Sequence, residues 1–242
     1  MKMDTSFWIQ CNPKITVEHT TKKYFGKFLY KIVVYCPAGR LIDSKGDMLP
    51  ALEHRKNIYK HISGSSWWGA RQNKDIENAD VSLLEILRNI RMNKLLGFKL
   101  RVEEPRVQIY AGTEDELKNL IDSHLKNYQT QIESVSGPAN SDCAKILDSG
   151  AIIRKIDNGY SHKVILRDGR YGSDVKETIL NYLDGLQIEI VGVPKSCREM
   201  FGKTSSYVWN CYFYTNDPSV VTFLNLIQPG LVSNIHELII AN

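Results

Sequence analysis

The pattern that most constrains the fold lies in the last third of the chain, where strand-like and helix-like segments follow one another as β-α-β-β-α-β. The two helices carry apolar stripes at helical spacing. Gly185 stops the first of them, and Asp217 with Pro218 starts the second. The strand-like runs cover residues 160–168, 186–193, 205–215 and 233–241.

This order predicts an α+β fold whose C-terminal part is a ferredoxin-like (βαββαβ) domain over residues 150–242. A length of 242 residues is long for one domain and short for three. We therefore expect the C-terminal domain to pack on an N-terminal mixed α/β domain over residues 1–140. A Gly-Pro turn and small polar residues between 136 and 148 are expected to join the two.

Two helix starts in the N-terminal part are predicted from local chemistry. Asp80 precedes an apolar stripe at helical spacing and is expected to cap that helix. Thr113 and Glu116 form a capping-box pattern in front of another. Residues 14–20 and 27–36 read as strands, and residues 49–62 as a helix. The run around Pro105 reads as two strands or an edge strand, because proline cannot donate to a sheet ladder.

Residues 205–215 carry aromatic side chains on both alternating faces of a predicted strand. Alternation assigns one set to the helix side of the sheet: Tyr207, Trp209, Cys211 and Phe213. The other set is then expected on the open side: Val208, Asn210, Tyr212 and Tyr214. In the first strand of the domain, Lys163 and Arg167 also fall on the open side, whereas in the second strand Ile188 and Ile190 point inward.

The open side of this predicted sheet therefore collects cationic and aromatic side chains, which can pair with phosphates and stack on bases. At the level of the fold alone, the arrangement resembles the RNA-recognition motif. The third strand lacks the glycine that precedes the spaced aromatics in that family.

A second candidate surface lies in the basic first half of the chain. Residues 1–106 hold 19 Lys and Arg against 11 Asp and Glu, whereas the remainder is acidic on balance. That asymmetry favours polyanion contact in the first half. A Gly- and Ser-rich loop with two tryptophans follows the helix over residues 49–62. The candidate residues there are Arg55, Lys56, Tyr59, Lys60, Trp67, Trp68, Arg71 and Lys74.

These patterns predict a protein that binds nucleic acid, preferably single-stranded DNA or RNA, in replication or RNA handling. The candidate contacts are the eight residues of the first half together with Lys163, Arg167, Tyr212 and Tyr214. The second hypothesis is a structural or assembly protein whose aromatic sheet face binds protein, including a second copy of the chain. The third is a metal-dependent nuclease built from scattered carboxylates.

Tests for other chemistry were negative. Gly202-Lys203-Thr204 resembles the tail of a phosphate-binding loop, but the required earlier glycine is replaced by Cys197. The six histidines and five cysteines lack metal-ligand spacing, and no nucleophile motif is present. We therefore expect no cofactor and no metal, with enzymatic activity undecided and leaning to none. The five cysteines are odd in number and scattered along the sequence, which argues against a disulfide framework. No apolar stretch approaches the length of a membrane span. We therefore expect an intracellular protein without a membrane partner.

Overall fold

The computed structural model describes residues 3–62, 76–93, 97–203 and 206–241, with the backbone alone for residues 59–62. The chain is an α+β protein and divides into two compact units, Met1–Ala144 and Lys145–Asn242. Each unit contains one five-stranded mixed sheet. The predicted α+β class is confirmed at this level.

The first unit is built on a sheet with the strand order β1-β5-β2-β4-β3. Strands β1 and β5 are parallel, and the other neighbours are antiparallel. Its strands are β1 (Thr16–His19), β2 (Tyr30–Tyr35), β3 (Lys99–Glu103), β4 (Arg106–Ala111) and β5 (Ile132–Gly137). Its helices are α1 (Thr5–Cys11), α2 (Met48–Ile62), α3 (Val81–Met92), α4 (Glu114–Leu120) and α5 (Ser141–Asp148), the last of which continues into the second unit.

Local capping signals formed as the sequence predicted. The Asp80 carboxylate accepts hydrogen bonds from two amides in the first turn of α3. Thr113 and Glu116 form the reciprocal capping box of α4. Pro105 separates β3 from β4, so the proline sits in the turn of a hairpin. These predictions are confirmed. Each of them depends only on residues close together in the sequence, so a local pattern was enough to make them.

One face of the first sheet is apolar and buried, and the other is mixed, with Val33 and Tyr110 also buried on it. Ile32, Val34, Val107 and Ile109 are buried on the face that α4 covers. Their neighbours along the strands alternate to the opposite face, which includes Lys31.

The second unit is built on a sheet with the strand order β6-β12-β7-β11-β9. Its strands are β6 (Ile152–Arg154), β7 (His162–Leu166), β9 (Val191–Gly192), β11 (Tyr212–Thr215) and β12 (Val232–Ile240). A separate ribbon pairs β8 (Gly169–Arg170) with β10 (Tyr207–Val208). Its helices are α6 (Ser173–Asp184), α7 (Lys195–Gly202) and α8 (Ser219–Ile227).

All three of these helices contribute to one core. Ile179 of α6, Phe201 of α7 and Leu224 of α8 cluster with the buried strand residues Val164 and Phe213. Residues from all three helices therefore meet one face of the sheet, which leaves the opposite face uncovered by them.

Two elements of the second unit differ from the sequence-based predictions. The predicted strand over residues 186–193 shortens to β9, and Ile188, expected inward, is 73% exposed. Helix α7 was not predicted, although it includes part of the region tested as a phosphate-binding loop. The segment between 136 and 148, expected to join the two parts of the chain, carries helix α5, and the boundary between the two units falls within it, after Ala144. Short amphipathic helices carry weak periodic signals, which local reading misses.

The predicted strand over residues 205–215 is broken in the middle. Asn210 has a φ of +53°, and its N–H donates to the Asp168 carboxylate at 2.7 Å. This left-handed residue interrupts the alternation between β10 and β11. Tyr207 and Trp209, expected on the helix side, are therefore 45% and 46% exposed, whereas Val208 is buried.

Candidate nucleic-acid interface

Tyr212 and Tyr214 lie on the uncovered face of the second sheet. The register of β11 with β7 places Tyr212 opposite Ile165 and Tyr214 opposite Lys163. Phe213 and Thr215, which alternate with them, are buried. Both tyrosines are half-buried, so their rings are partly accessible on the face opposite the helices.

Each of the two rings carries a cation. The Lys163 ammonium lies 3.6 Å from the ring centre of Tyr212. The Arg154 guanidinium lies 5.1 Å from the ring centre of Tyr214. The two tyrosine rings meet edge to face with their centres 5.5 Å apart. Cations over aromatic faces are held by the ring quadrupole, which orients the charged groups at this surface.

Tyr160 adds a third ring to this row. It stacks on Tyr214 with a centre distance of 5.9 Å and an interplanar angle of 16°. Its hydroxyl donates to the Ile188 carbonyl at 2.6 Å. The side-chain amide of Asn216 donates to the carbonyls of Gly159 and Glu189, and thereby fixes the loop that carries Tyr160.

Tyr160 lines two grooves on this part of the unit. One has a volume of about 450 Å³ and is lined by Arg154, Tyr160 and Asn216 together with residues of β12. The other has a volume of about 410 Å³ and is lined by Tyr160, Tyr212 and Tyr214 together with residues around β9. Both volumes fall in the range of small-ligand pockets. The three tyrosine rings therefore line grooves on this side of the sheet, and the surface they form is not flat.

The electrostatic setting keeps the Tyr212 phenol neutral. Burial raises the pKa of Tyr212, the neighbouring Tyr214 adds to that increase, and Arg154 opposes it. One guanidinium nitrogen of Arg154, Nη1, is buried and has no hydrogen-bond acceptor among the described residues. The arrangement thus offers neutral aromatic faces beside a cation that retains an unused donor.

The structure brings together three of the predicted residues of the second unit. Lys163, Tyr212 and Tyr214 are neighbours on β7 and β11. Arg167 follows β7 and is exposed, and its backbone N–H donates to the Leu231 carbonyl at 2.7 Å. In the described segments Arg167 stacks on no aromatic ring.

The predicted surface of the first half is only partly described. Arg55 pairs with Glu104 at 2.7 Å, and its side chain is 15% exposed, so its charge is already engaged. Lys56 lies half-buried on α2. Tyr59 and Lys60 belong to the last turns of α2, but their side chains lie outside the described residues. Four further candidates also lie outside them: Trp67, Trp68, Arg71 and Lys74.

Sequence reasoning missed Arg154 and Tyr160. Arg154 reaches the site because β6 pairs in parallel with the end of β12, placing Arg154 beside Ile240. That pairing joins residues almost ninety positions apart, so no local pattern reveals it. In the sequence Arg154 is marked only as a basic residue after the short apolar run of Ala151, Ile152 and Ile153, which does not indicate where its side chain lies.

Two further observations concern the described segments alone. No group of three or more His, Cys, Asp or Glu side chains is arranged there to hold a metal ion. None of the helices seen there combines the length and apolar character needed to cross a bilayer.

We compared the chain with protein-family models, with curated proteins and with solved structures. None of the three comparisons finds a match.

Proposed function

We propose that this chain binds single-stranded nucleic acid on the uncovered face of its second sheet. The observation that carries the proposal is the pairing of two partly accessible tyrosine rings, Tyr212 and Tyr214, with a cation over each. Lys163 lies over the first ring and Arg154 over the second. Tyr160 extends the row of rings. Replication or RNA handling is the kind of process in which we place this activity.

Stacking and charge make separate contributions to such binding. Unpaired bases expose π-faces that stack on aromatic side chains, at roughly 1–3 kcal/mol per base. Lys163 and Arg154 would attract the phosphates between the bases, which makes the affinity dependent on salt. Duplex DNA hides its base faces within the helix, so we expect single strands to bind more tightly than duplex.

We also propose that the second unit is a variant of the ferredoxin-like fold. Strands β7, β9, β11 and β12 succeed one another in the chain and lie in the spatial order β12-β7-β11-β9, with antiparallel neighbours. Helix α6 connects the first two, and α8 connects the last two. Strand β6, the ribbon of β8 and β10, and helix α7 are additions to that plan. A fold of this plan supports the proposed binding of nucleic acid on the sheet, because its helices cover only one face of that sheet.

The test is a salt-titrated anisotropy measurement with fluorescent single-stranded DNA, single-stranded RNA and duplex. We compare the wild type with Tyr212→Leu and Tyr214→Leu, because leucine keeps apolar packing but removes the π-face. Tyr207→Leu is the matched control, since Tyr207 is exposed on β10 outside the five-stranded sheet. We expect each site variant to weaken single-strand binding about tenfold, from the loss of one stacked base. Equal affinities for wild type and site variants would refute the proposal.

A protein–protein role for the same face is the second candidate. Tyrosine is enriched at protein interfaces because its ring packs while its hydroxyl finds a partner, and three tyrosines adjoin here. Light scattering decides between the two functions. A stable oligomer that Tyr214→Leu dissociates, with no change in oligonucleotide anisotropy, would favour assembly.

A further inference from the structure

The first unit carries an aromatic and cationic cluster of its own on the sheet face opposite α4, where Tyr110 and Phe28 are buried and Phe25 is exposed. A tight turn between Tyr24 and Phe28 precedes β2 and lies over Tyr110 of β4. Tyr24, Phe25 and Phe28 have ring centres 5.2, 5.0 and 6.4 Å from that of Tyr110. We call these four rings, together with Lys27, Lys31 and Lys99, the hairpin cluster.

Each lysine of the hairpin cluster lies over a ring. The Lys99 ammonium is 3.5 Å from the ring centre of Phe25. Lys31 and Lys27 lie 5.3 and 5.2 Å from the ring centres of Tyr24 and Phe28. The strand register brings two of these lysines to the same ring, because Lys31 of β2 and Lys99 of β3 are both paired with Tyr110 of β4.

The charges of the three lysines are not neutralised by ion pairs. In the described part of the chain, no carboxylate lies within salt-bridge distance of Lys27, Lys31 or Lys99. The neighbouring arginines on the same face differ. Arg101 pairs with Glu103 at 2.8 Å, and Arg106 pairs with Glu133. On this face the two arginines are paired, whereas Glu18 accepts a hydrogen bond from the Ser136 hydroxyl and lies two strands from Lys31. The hairpin cluster therefore holds three ammonium groups without an ion pair in the described segments.

Phe25 has a left-handed backbone conformation that phenylalanine rarely adopts. It is 49% exposed and has a φ of +53°, and Gly26 after it has a φ of +68°. The Lys27 N–H donates to the Tyr24 carbonyl at 3.1 Å and closes the turn. Positive φ at both central residues is the pattern of a type I′ turn, for which Asn-Gly is the favoured pair. An exposed ring in a strained position is a reason to look for a function of that ring.

We propose that the hairpin cluster is a second contact site for single-stranded nucleic acid, separate from the face of the second sheet. Its ammonium groups match phosphate, and the accessible Phe25 ring beside Lys99 matches a stacked base. An acidic peptide would satisfy the charges and leave the ring without a stacking partner, so nucleic acid fits both features. The site stands independently of the proposed function, because its residues belong to the other unit.

The charge test uses the full chain, fluorescent oligo(dT) and oligo(U), and a salt series. Lys27→Gln with Lys99→Gln removes two cations of the hairpin cluster. Lys45→Gln with Lys126→Gln removes two exposed cations of the same unit outside the cluster. We expect the first pair to reduce the salt slope of log affinity by about 1.4, since each phosphate contact on a single strand contributes about 0.7. The control pair should leave the slope unchanged.

The ring test is Phe25→Asn, which removes the aromatic face and supplies the residue that the turn prefers. We expect oligonucleotide affinity to fall about tenfold, from the loss of one stacking contact. The melting temperature should hold or rise. A ring with a purely structural role would instead lower the melting temperature and leave the affinity unchanged, and that result would overturn the proposal.

Three further outcomes are decisive. Loss of binding in the hairpin-cluster variants but not in Tyr214→Leu would support this inference and refute the proposed function. The reverse pattern would refute this inference alone. Binding of polyglutamate that needs Lys27 and Lys99, with no binding of either oligonucleotide, would overturn it in favour of an acidic protein partner.

Discussion

The ring of Tyr160 lies directly against the backbone of Gly192. A Cβ on Gly192 would stand 2.6 Å from that ring, closer than real side chains approach. Gly192 pairs with Tyr214 across β9 and β11, so the absent side chain leaves room for the stack of Tyr160 on Tyr214. A glycine without positive φ is thus needed here for close approach.

Gly192→Ala should therefore displace Tyr160 and destabilise the second unit. Overpacking of this kind costs typically about 1–3 kcal/mol. Urea denaturation measures the loss. Gly202→Ala is the control, because a Cβ there meets nothing within 4 Å and the residue ends α7. The explanation is wrong when both variants have the same unfolding free energy.

Arg154→Gln should weaken single-strand binding and leave the fold intact. The substitution removes the cation over Tyr214 and with it one phosphate contact, so the salt slope of log affinity should fall by about 0.7. Anisotropy across a salt series measures this slope. The matched control is Arg170→Gln, an exposed arginine on β8 outside the five-stranded sheet. An equal change in both variants would show only a general effect of charge.

Glu114→Ala should destabilise the first unit strongly. Glu114 is 1% exposed, and its Oε1 accepts from the Trp8 indole N–H and the Asp4 amide, each at 2.8 Å. Each buried donor left without an acceptor costs roughly 1–3 kcal/mol. We expect a loss of about 3 kcal/mol in urea denaturation. Asp115→Ala, in the same helical turn but exposed, should change much less; similar losses would contradict the role assigned to Glu114.

The stability of the first unit should decline in acid through Asp4. Hydrogen bonds from the Ser6 hydroxyl, Lys118 and the Phe7 amide lower the pKa of Asp4 below its ordinary value of 3.8. Stability from such a group is present above the unfolded pKa and is lost as pH falls through the folded pKa. Urea midpoints between pH 5 and about 2.5 follow this loss. Asp4→Asn should flatten the profile and Asp122→Asn should not, whereas parallel profiles would exclude Asp4 as the source.

Several features of this chain follow from short stretches of its sequence. Asp80, Thr113 and Glu116 cap their helices because a cap needs only the first helical turn. Tyr212 and Tyr214 share a sheet face because side chains alternate within one strand. The α+β class follows from the same local periods.

Tertiary structure alone decided which surfaces these elements form. Arg154 and Tyr160 reach Tyr214 through pairings and loop contacts that span from about thirty to almost ninety residues. Asn210 turns a continuous strand pattern into two strands, so Trp209 is exposed where alternation expected burial. The reason is physical: local propensity and alternation act within a few residues, whereas register, strand order and close approach depend on packing between segments distant in the chain.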